Sequence, residues 1–256
     1  MRNFWDIVKD VIHRSEILLE VLDARMVEKT RNTELEEKIT KAGKQIIYVI
    51  TKCDLVPDAT IKEIKQKLFP CVVVSSPKHH GMTILRDTIL RYAKSDPVII
   101  GVVGYPNTGK SSLINALAGR HSAPVSIVSG YTRAIQLIKV DNRIRILDTP
   151  GVIPFMEKDV EKHVQTGTID FTKVKDPEGA LYALMEEFPG VIEKVYSMTE
   201  EKEKDVVLEK IAIAQNRLLK GGTPDTQTMA RVILRRWQKG ELAATGGEKQ
   251  QRRRRN

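Results

Sequence analysis

The sequence predicts an α/β fold, a mainly parallel sheet with helices on both faces, followed by a small all-helical C-terminal part. Three observations predict it. Apolar runs rich in β-branched residues alternate with helix-spaced segments from Ile17 to Val103, as they do when parallel strands are joined by crossover helices. Gly104-Tyr105-Pro106-Asn107-Thr108-Gly109-Lys110-Ser111 fits the G-x-x-x-x-G-K-[ST] phosphate loop in full, set between a strand-like run and a helix-like one. Beyond about Glu157 the strand signal stops.

In order, Trp5, Val8 and Ile12 have helical spacing, and Ile17–Leu22 reads as a strand ending in Asp23-Ala24-Arg25. Asn32 or Thr33 can cap a helix that runs to Ala42, with Gly43 as its stop. Gln45–Ile50 is the next strand and runs into Thr51-Lys52-Cys53-Asp54. Pro57-Asp58 opens a helix to about Leu68, and Cys71–Val74 is a strand ending in Ser75-Ser76. Gly81–Lys94 reads as a helix with Ile84, Leu85, Ile89 and Tyr92 on its apolar side. Val98–Val103 leads into the phosphate loop, and Ser112–Ala118 forms the helix after it, with Gly119 placed to end it.

The rhythm then changes. Ala134–Val140 and Arg143–Leu147 are strand-like runs joined tightly at Asp141-Asn142, which predicts a hairpin ending in Asp148-Thr149-Pro150-Gly151. Asp176–Phe188, Glu201–Leu219 and Pro224–Gln238 read as helices. Leu208, Ile211, Ile213 and Leu218 give the middle one an apolar stripe, and Gly221-Gly222 separates it from the last. The domain boundary falls between Val152 and Lys162, giving 1–157, a helical domain at 158–248, and a basic, disordered tail at 249–256.

Composition narrows the class. Of the 256 residues 41% are apolar and 29% charged, which suits a soluble globular protein. No apolar run is long enough to span a bilayer and no signal peptide opens the chain. Cys53 and Cys71 lack metal or redox spacing and read as buried free thiols of a reducing cytosol. Of the net charge of +9, an excess of +7 lies between Arg231 and Asn256, so the basic character is local.

The phosphate loop predicts an anion site, because its backbone N–H groups and the following helix N-terminus converge on phosphate oxygens. Lys110 would reach the outer phosphates and the Ser111 hydroxyl would hold Mg²⁺. The base is selected elsewhere. A carboxylate at Asp54 can accept from guanine N1–H and its exocyclic amine, a donor pair that adenine lacks. The Lys52 stem could lie over the base, and a backbone N–H at Ser75-Ser76 could meet the guanine carbonyl. Asp148-x-x-Gly151 puts a carboxylate near Mg²⁺ and a mobile amide near the terminal phosphate, and Thr132 could complete the Mg²⁺ shell.

With Thr51–Asp54 and Ser75-Ser76 ahead of Gly104–Ser112, Thr132 and Asp148–Gly151, the order of motifs resembles that of the circularly permuted GTPases of the YlqF/YawG kind. The resemblance extends to Asp23-Ala24-Arg25 with Arg31-Asn32, and to Gly221-Gly222-x-x-Asp225 with Trp237-Gln238-x-Gly240. It implies GTP hydrolysis to GDP and phosphate, Mg²⁺, and a role in large ribosomal subunit assembly through ribosomal RNA. The partners expected are that subunit or its precursor, with no membrane and no DNA, for a cytoplasmic monomer. Lys110, Thr132 and Gly151 are the catalytic candidates; Thr51, Lys52, Asp54, Ser75, Ser76, Asn107, Thr108, Gly109, Lys110, Ser111, Ser112 and Gly151 the nucleotide contacts; Ser111, Thr132 and Asp148 the metal contacts.

Two departures from the family pattern bear on turnover. Val152 stands where ordinary GTPases often carry a water-orienting glutamine. The Gly-His-Met stretch of bacterial relatives is missing, and His13 reads as structural. By likeness to potassium-activated GTPases, Asn107 would help hold K⁺; the other reading is a side-chain to backbone bond that shapes the loop. Negligible turnover in an RNA-binding scaffold is the competing function, while Asp54 argues against an ATPase or kinase.

Overall fold

A computed structural model describes residues 4–119, 124–127, 136–148 and 175–242. They fall into two compact units. The first unit holds β1 (Ile17–Asp23), β2 (Gln45–Thr51), β3 (Cys71–Val73), β4 (Val98–Val103), β5 (Pro124–Ile127), β6 (Gln136–Lys139) and β7 (Ile144–Asp148). They form one seven-stranded sheet in the order β3-β2-β1-β4-β7-β6-β5. The β3, β2, β1, β4 and β7 strands run parallel, whereas β6 is antiparallel to both β7 and β5. The expected hairpin is therefore present as β6–β7, with Asp141 accepting from Arg143 N at 2.7 Å and Ile144 N at 2.9 Å in the turn.

All seven residues of β1 are buried, because β2 and β4 flank it and both faces are covered. Its alternation assigns the faces. Ile17, Leu19 and Val21 pack with Leu85 and Ile89 of α5 (Met82–Tyr92) and with Leu113 and Ile114 of α6 (Lys110–Ala118). Leu18 packs on the opposite side with Val8, Val11 and Ile12 of α1 (Phe4–Arg14) and Leu35 and Ile39 of α3 (Thr33–Lys41). Asn32 caps α3 as expected, its side chain accepting from Leu35 N. A short α2 (Val27–Thr30) precedes it, and α4 (Asp58–Lys67) packs on β3.

Glu20 interrupts the apolar face that carries Leu18. It is fully buried in β1 opposite Tyr48, and its Oε1 accepts from Asn32 N at 3.0 Å. Glu36 lies nearby, gripped by Arg31 at 2.6 and 2.7 Å and by the Tyr48 hydroxyl at 2.9 Å. Burial pushes the Glu20 carboxyl up to about 8, with the Glu36 charge acting in the same direction and the Asn32 N–H opposing.

In the second unit the described residues form α7 (Pro177–Glu187), α8 (Val191–Tyr196), α9 (Lys204–Ala214) and α10 (Thr226–Gln238), with no named strand among them. Asp176 and Asp225 cap α7 and α10 through Gly179 N and Thr228 N. Trp237 is buried against Phe188, ring centroids 4.7 Å apart, and Leu181, Leu184, Leu208, Ile211 and Ile233 are buried in the same unit.

Three expectations need correction. The helix expected over Glu201–Leu219 ends at Ala214, where Asn216 turns to φ 52 and Leu218 bridges to Pro224. Ile213 and Leu218 consequently leave the buried stripe, at 57% and 45% exposure. Ile84 is likewise exposed, because the inner face of α5 is carried by Leu85 and Ile89. Cys53 and Cys71 are half-buried rather than buried, and burial still pushes the Cys71 thiol up to about 11. The boundary near 157, Thr132, Gly151, Val152 and the tail lie outside the described residues. Among the described residues no helix is long and apolar enough to cross a membrane.

Candidate nucleotide-binding site

The described candidate residues lie where β1, β2, β3, β4 and β7 end, at the carboxyl edge of the parallel strands. Ligands of open α/β sheets bind at such an edge. The chain leaves β4 at Gly104, whose φ is 140, and a Cβ there would sit 2.5 Å from the carbonyl oxygen of Val21. Only glycine lets the loop pass that close to β1. Asn107 takes φ 61, and Gly109, at φ 103, caps the start of α6. The Thr108 hydroxyl and Lys110 Nζ both donate to the Tyr105 carbonyl, at 2.8 and 2.6 Å. These bonds close the loop on itself. Ser111 and Ser112 stand exposed in the first turn of α6.

Thr51, buried at the end of β2, points its hydroxyl at the carbonyls of Leu22, 2.9 Å away, and Thr108. A single side chain thereby ties β1 and β2 to the phosphate loop. Lys52 sits at φ 56 and donates to the Asn107 carbonyl at 2.9 Å and to Asp23 Oδ2 at 2.6 Å. Its ammonium thus spans two motifs, a tighter task than the base-covering stem expected from sequence. Burial lowers the Lys52 pKa, and the neighbouring Asp23 carboxylate works against that fall. Burial would raise the pKa of Asp23, but the Arg25 guanidinium, with Lys52, holds it well below the usual carboxylate range.

Asp54 lies in the 3-10 turn Cys53–Leu55 with its carboxylate 3.5 Å from Lys78 Nζ. Ser75 follows β3, and its N–H and carbonyl both pair with His80 at 3.1 Å. Ser75's N–H is therefore used inside the protein, and Ser76 opens the next 3-10 turn. The Ser75 hydroxyl is buried without a hydrogen-bond partner among the described residues.

Asp148 ends β7 beside β4, with Gly101 and Leu147 in register, so its backbone lies on the edge from which the phosphate loop departs. The Ser111 hydroxyl offers a hard oxygen donor at this edge. Such a donor fits Mg²⁺, which takes one or two protein oxygens together with phosphate oxygens and water.

Sequence reasoning quoted Asp23 and Arg25 only as a resemblance and missed their place in the site. The signal was there in outline: a charged pair directly after an apolar strand, level with Thr51 on the next strand. The pairing with Lys52 needs the tertiary fold.

The family described as 50S ribosome-binding GTPase matches residues 99–213, which start at β4 and so leave out Thr51–Asp54 and Ser75-Ser76. The uncharacterized GTP-binding protein MJ1464 of Methanocaldococcus jannaschii is 35% identical over 244 residues, covering 92% of this chain and 65% of that protein. Nucleolar GTP-binding protein 2 of Yarrowia lipolytica is 33% identical over 255 residues, covering 94% of this chain and 50% of that protein. The chain therefore spans only part of the curated relatives it matches. In fold it is similar to the crystal structure of GNP-bound YlqF from T. maritima, with a TM-score of 0.65, 20% identity and 94% of each chain covered.

Proposed function

We propose that the chain is a circularly permuted GTPase of the YlqF/YawG kind, which binds GTP, hydrolyses it to GDP and phosphate, and acts through ribosomal RNA in assembly of the large ribosomal subunit; the matching family model, the GTP-binding relatives and the shared fold support this reading. The observation that carries this reading is the joining of two motifs by short bonds. Lys52 reaches the carbonyl of Asn107, and Thr51 reaches that of Thr108, so the base-selecting segment is braced on the phosphate loop. A nucleotide bound along this edge would be held at both ends by one rigid unit.

In this proposal Asp54 accepts from guanine N1–H and the amine, and the Ser76 amide donates to the guanine carbonyl. Lys110 turns from the Tyr105 carbonyl to the outer phosphates, while the amides from Asn107 to Ser112 cradle them. Ser111, with Asp148 and Thr132, would hold Mg²⁺, which would supply neutralisation of the phosphate charge when bound. The Gly151 amide donates to the γ-phosphate. Catalysis here is mostly positioning and electrostatic stabilisation, since phosphoryl transfer asks for little covalent chemistry from the protein. Potassium at Asn107, monomeric action, and a place in the cytoplasm without membrane or DNA belong to the same proposal. The names of the nucleolar relatives support the ribosomal setting.

Val152, at the position of the usual water-orienting glutamine, favours a second reading in which unaided turnover is negligible and the protein serves as a nucleotide-dependent RNA scaffold. Single-turnover GTP hydrolysis with and without purified large ribosomal particles tests both. A GTPase gating assembly shows particle-stimulated hydrolysis. A scaffold binds particles more tightly with a non-hydrolysable GTP analogue than with GDP, at an unchanged and negligible rate. Unstimulated hydrolysis together with equal particle affinity in both nucleotide states would sink both readings.

A further inference from the structure

Lys52 braces the site, and it is itself held in place. Asp23 closes β1 with its side chain 4% exposed, beside an Arg25 side chain 1% exposed. Arg25 grips both carboxylate oxygens, Nε to Oδ1 at 3.0 Å and a terminal nitrogen to Oδ2 at 2.7 Å, while its backbone N–H donates to Oδ1 at 3.1 Å. The same Oδ2 accepts from Lys52 Nζ at 2.6 Å. The backbone of Asp23 is fixed as well, its N–H donating to the buried Thr30 hydroxyl at 3.1 Å. From there the chain of contacts runs Arg25, Asp23, Lys52 and the carbonyl of Asn107, where it ends in the phosphate loop.

A buried ion pair is weak evidence for stability, because apolar residues of the same size often do as well. Its strength is geometric. A lysine ammonium on a flexible stem has no fixed direction of its own, whereas a fork-gripped carboxylate has one. The loop carbonyl it serves belongs to a residue at φ 61, a backbone conformation that needs support.

We propose that Asp23 and Arg25 are positioning residues of the nucleotide site, Arg25 orienting Asp23 and Asp23 holding Lys52 against the phosphate loop, so that the end of β1 sets how tightly the loop retains a guanine nucleotide. The inference rests on the nucleotide-binding reading above. It assigns the Asp-Ala-Arg stretch a task in phosphate retention, distinct from base selection by Asp54.

Dissociation of fluorescent methylanthraniloyl-GDP from the full chain tests it, measured by stopped flow for Asp23→Asn, Lys52→Met, the double variant and Arg25→Gln. Loss of a charge-assisted bond should speed release roughly 10-fold in Asp23→Asn. Lys52→Met should be at least as fast, and adding Asp23→Asn to it should change little, because Asp23 acts through Lys52. The preference for GDP over IDP, which lacks the exocyclic amine, should survive Asp23→Asn. A residue that merely supports the fold would give multiplying effects and an eroded base preference, and either result overturns the proposal. Should Asp23→Asn lose its fold by circular dichroism, Arg25→Gln with Lys52→Met completes the same cycle, and unchanged release in Arg25→Gln then refutes it. Failure of the unaltered chain to bind GDP at all would bring down the nucleotide-binding reading and the inference with it, whereas normal binding with unaffected variants brings down the inference alone.

Discussion

Replacing Gly104 with alanine probes the close approach on which the phosphate loop is built. Two costs add at this residue. Its φ of 140 lies where side-chain-bearing residues are strained, by about 1–3 kcal/mol. The new Cβ would also meet the Val21 carbonyl oxygen at 2.5 Å, with Val21 N and C at 3.2 and 3.3 Å. Those are backbone atoms of a fully buried central strand and cannot rotate away. Overpacking of this kind costs about 1–3 kcal/mol more. Gly43 supplies the internal control. It also has positive φ, 67, but a Cβ there meets no described atom within 4 Å, so Gly43→Ala should cost only the backbone term, about 1–2 kcal/mol. Urea unfolding of the nucleotide-free variants should then place Gly104→Ala below Gly43→Ala by about 1–3 kcal/mol, the overpacking share alone. Because the strain lies in the loop, GDP affinity should fall for Gly104→Ala and stay intact for Gly43→Ala. Equal stability losses would show that contact with β1 is not what requires glycine, and the account of the loop given above would fail.

Asp54→Asn should lower GTP affinity at least ~10-fold, about 1.4 kcal/mol, while xanthosine triphosphate binding improves, because the amide can donate where guanine's amine stood; equal losses for both nucleotides in a titration would make Asp54 structural. GTP turnover should be faster in KCl than in NaCl at equal ionic strength, and Asn107→Ala should erase the difference; identical rates in the unaltered chain would leave Asn107 a loop-shaping residue. Glu20 keeps its proton in the folded state between its ordinary value of 4.5 and about 8, a window in which the unfolded chain has released it. Stability must therefore fall as pH rises through that window. Glu20→Gln, with Glu36, Arg31 and Tyr48 still facing it, should show a flatter profile over this range in urea melts; an unchanged slope would mean the buried carboxyl is not the proton-linked group.

Much of the first unit was legible because it is written in local pattern. β1, β2, β3 and β4 are continuous apolar runs, as strands buried on both faces must be, and glycine, proline and capping residues mark their ends. Where periodicity failed, competing geometry explains it. No glycine or proline interrupts Glu201–Leu219 before Gly221, so nothing local announces the left-handed turn at Asn216. Strand β5 is four residues at the sheet edge and carries too short a pattern to stand out. The short α2 gains nothing from an apolar stripe and is fixed by Thr30 bonding back to Met26.

The sequence by itself determined that a phosphate loop sits between a strand and a helix, and that the Thr-Lys-x-Asp stretch ending in Asp54 precedes it in the chain. Both are contiguous motifs whose chemistry depends on residues a few positions apart. Only the tertiary structure decided that Lys52, 55 residues from Asn107, closes on that loop. It alone decided that Asp23 and Arg25 hold that lysine, and that Glu20 is a buried acid on an apolar face. Such contacts depend on the register of neighbouring parallel strands, Asp23 opposite Thr51 and Glu20 opposite Tyr48. Parallel pairing joins segments that are distant in the chain, and no local periodicity encodes which of them will meet.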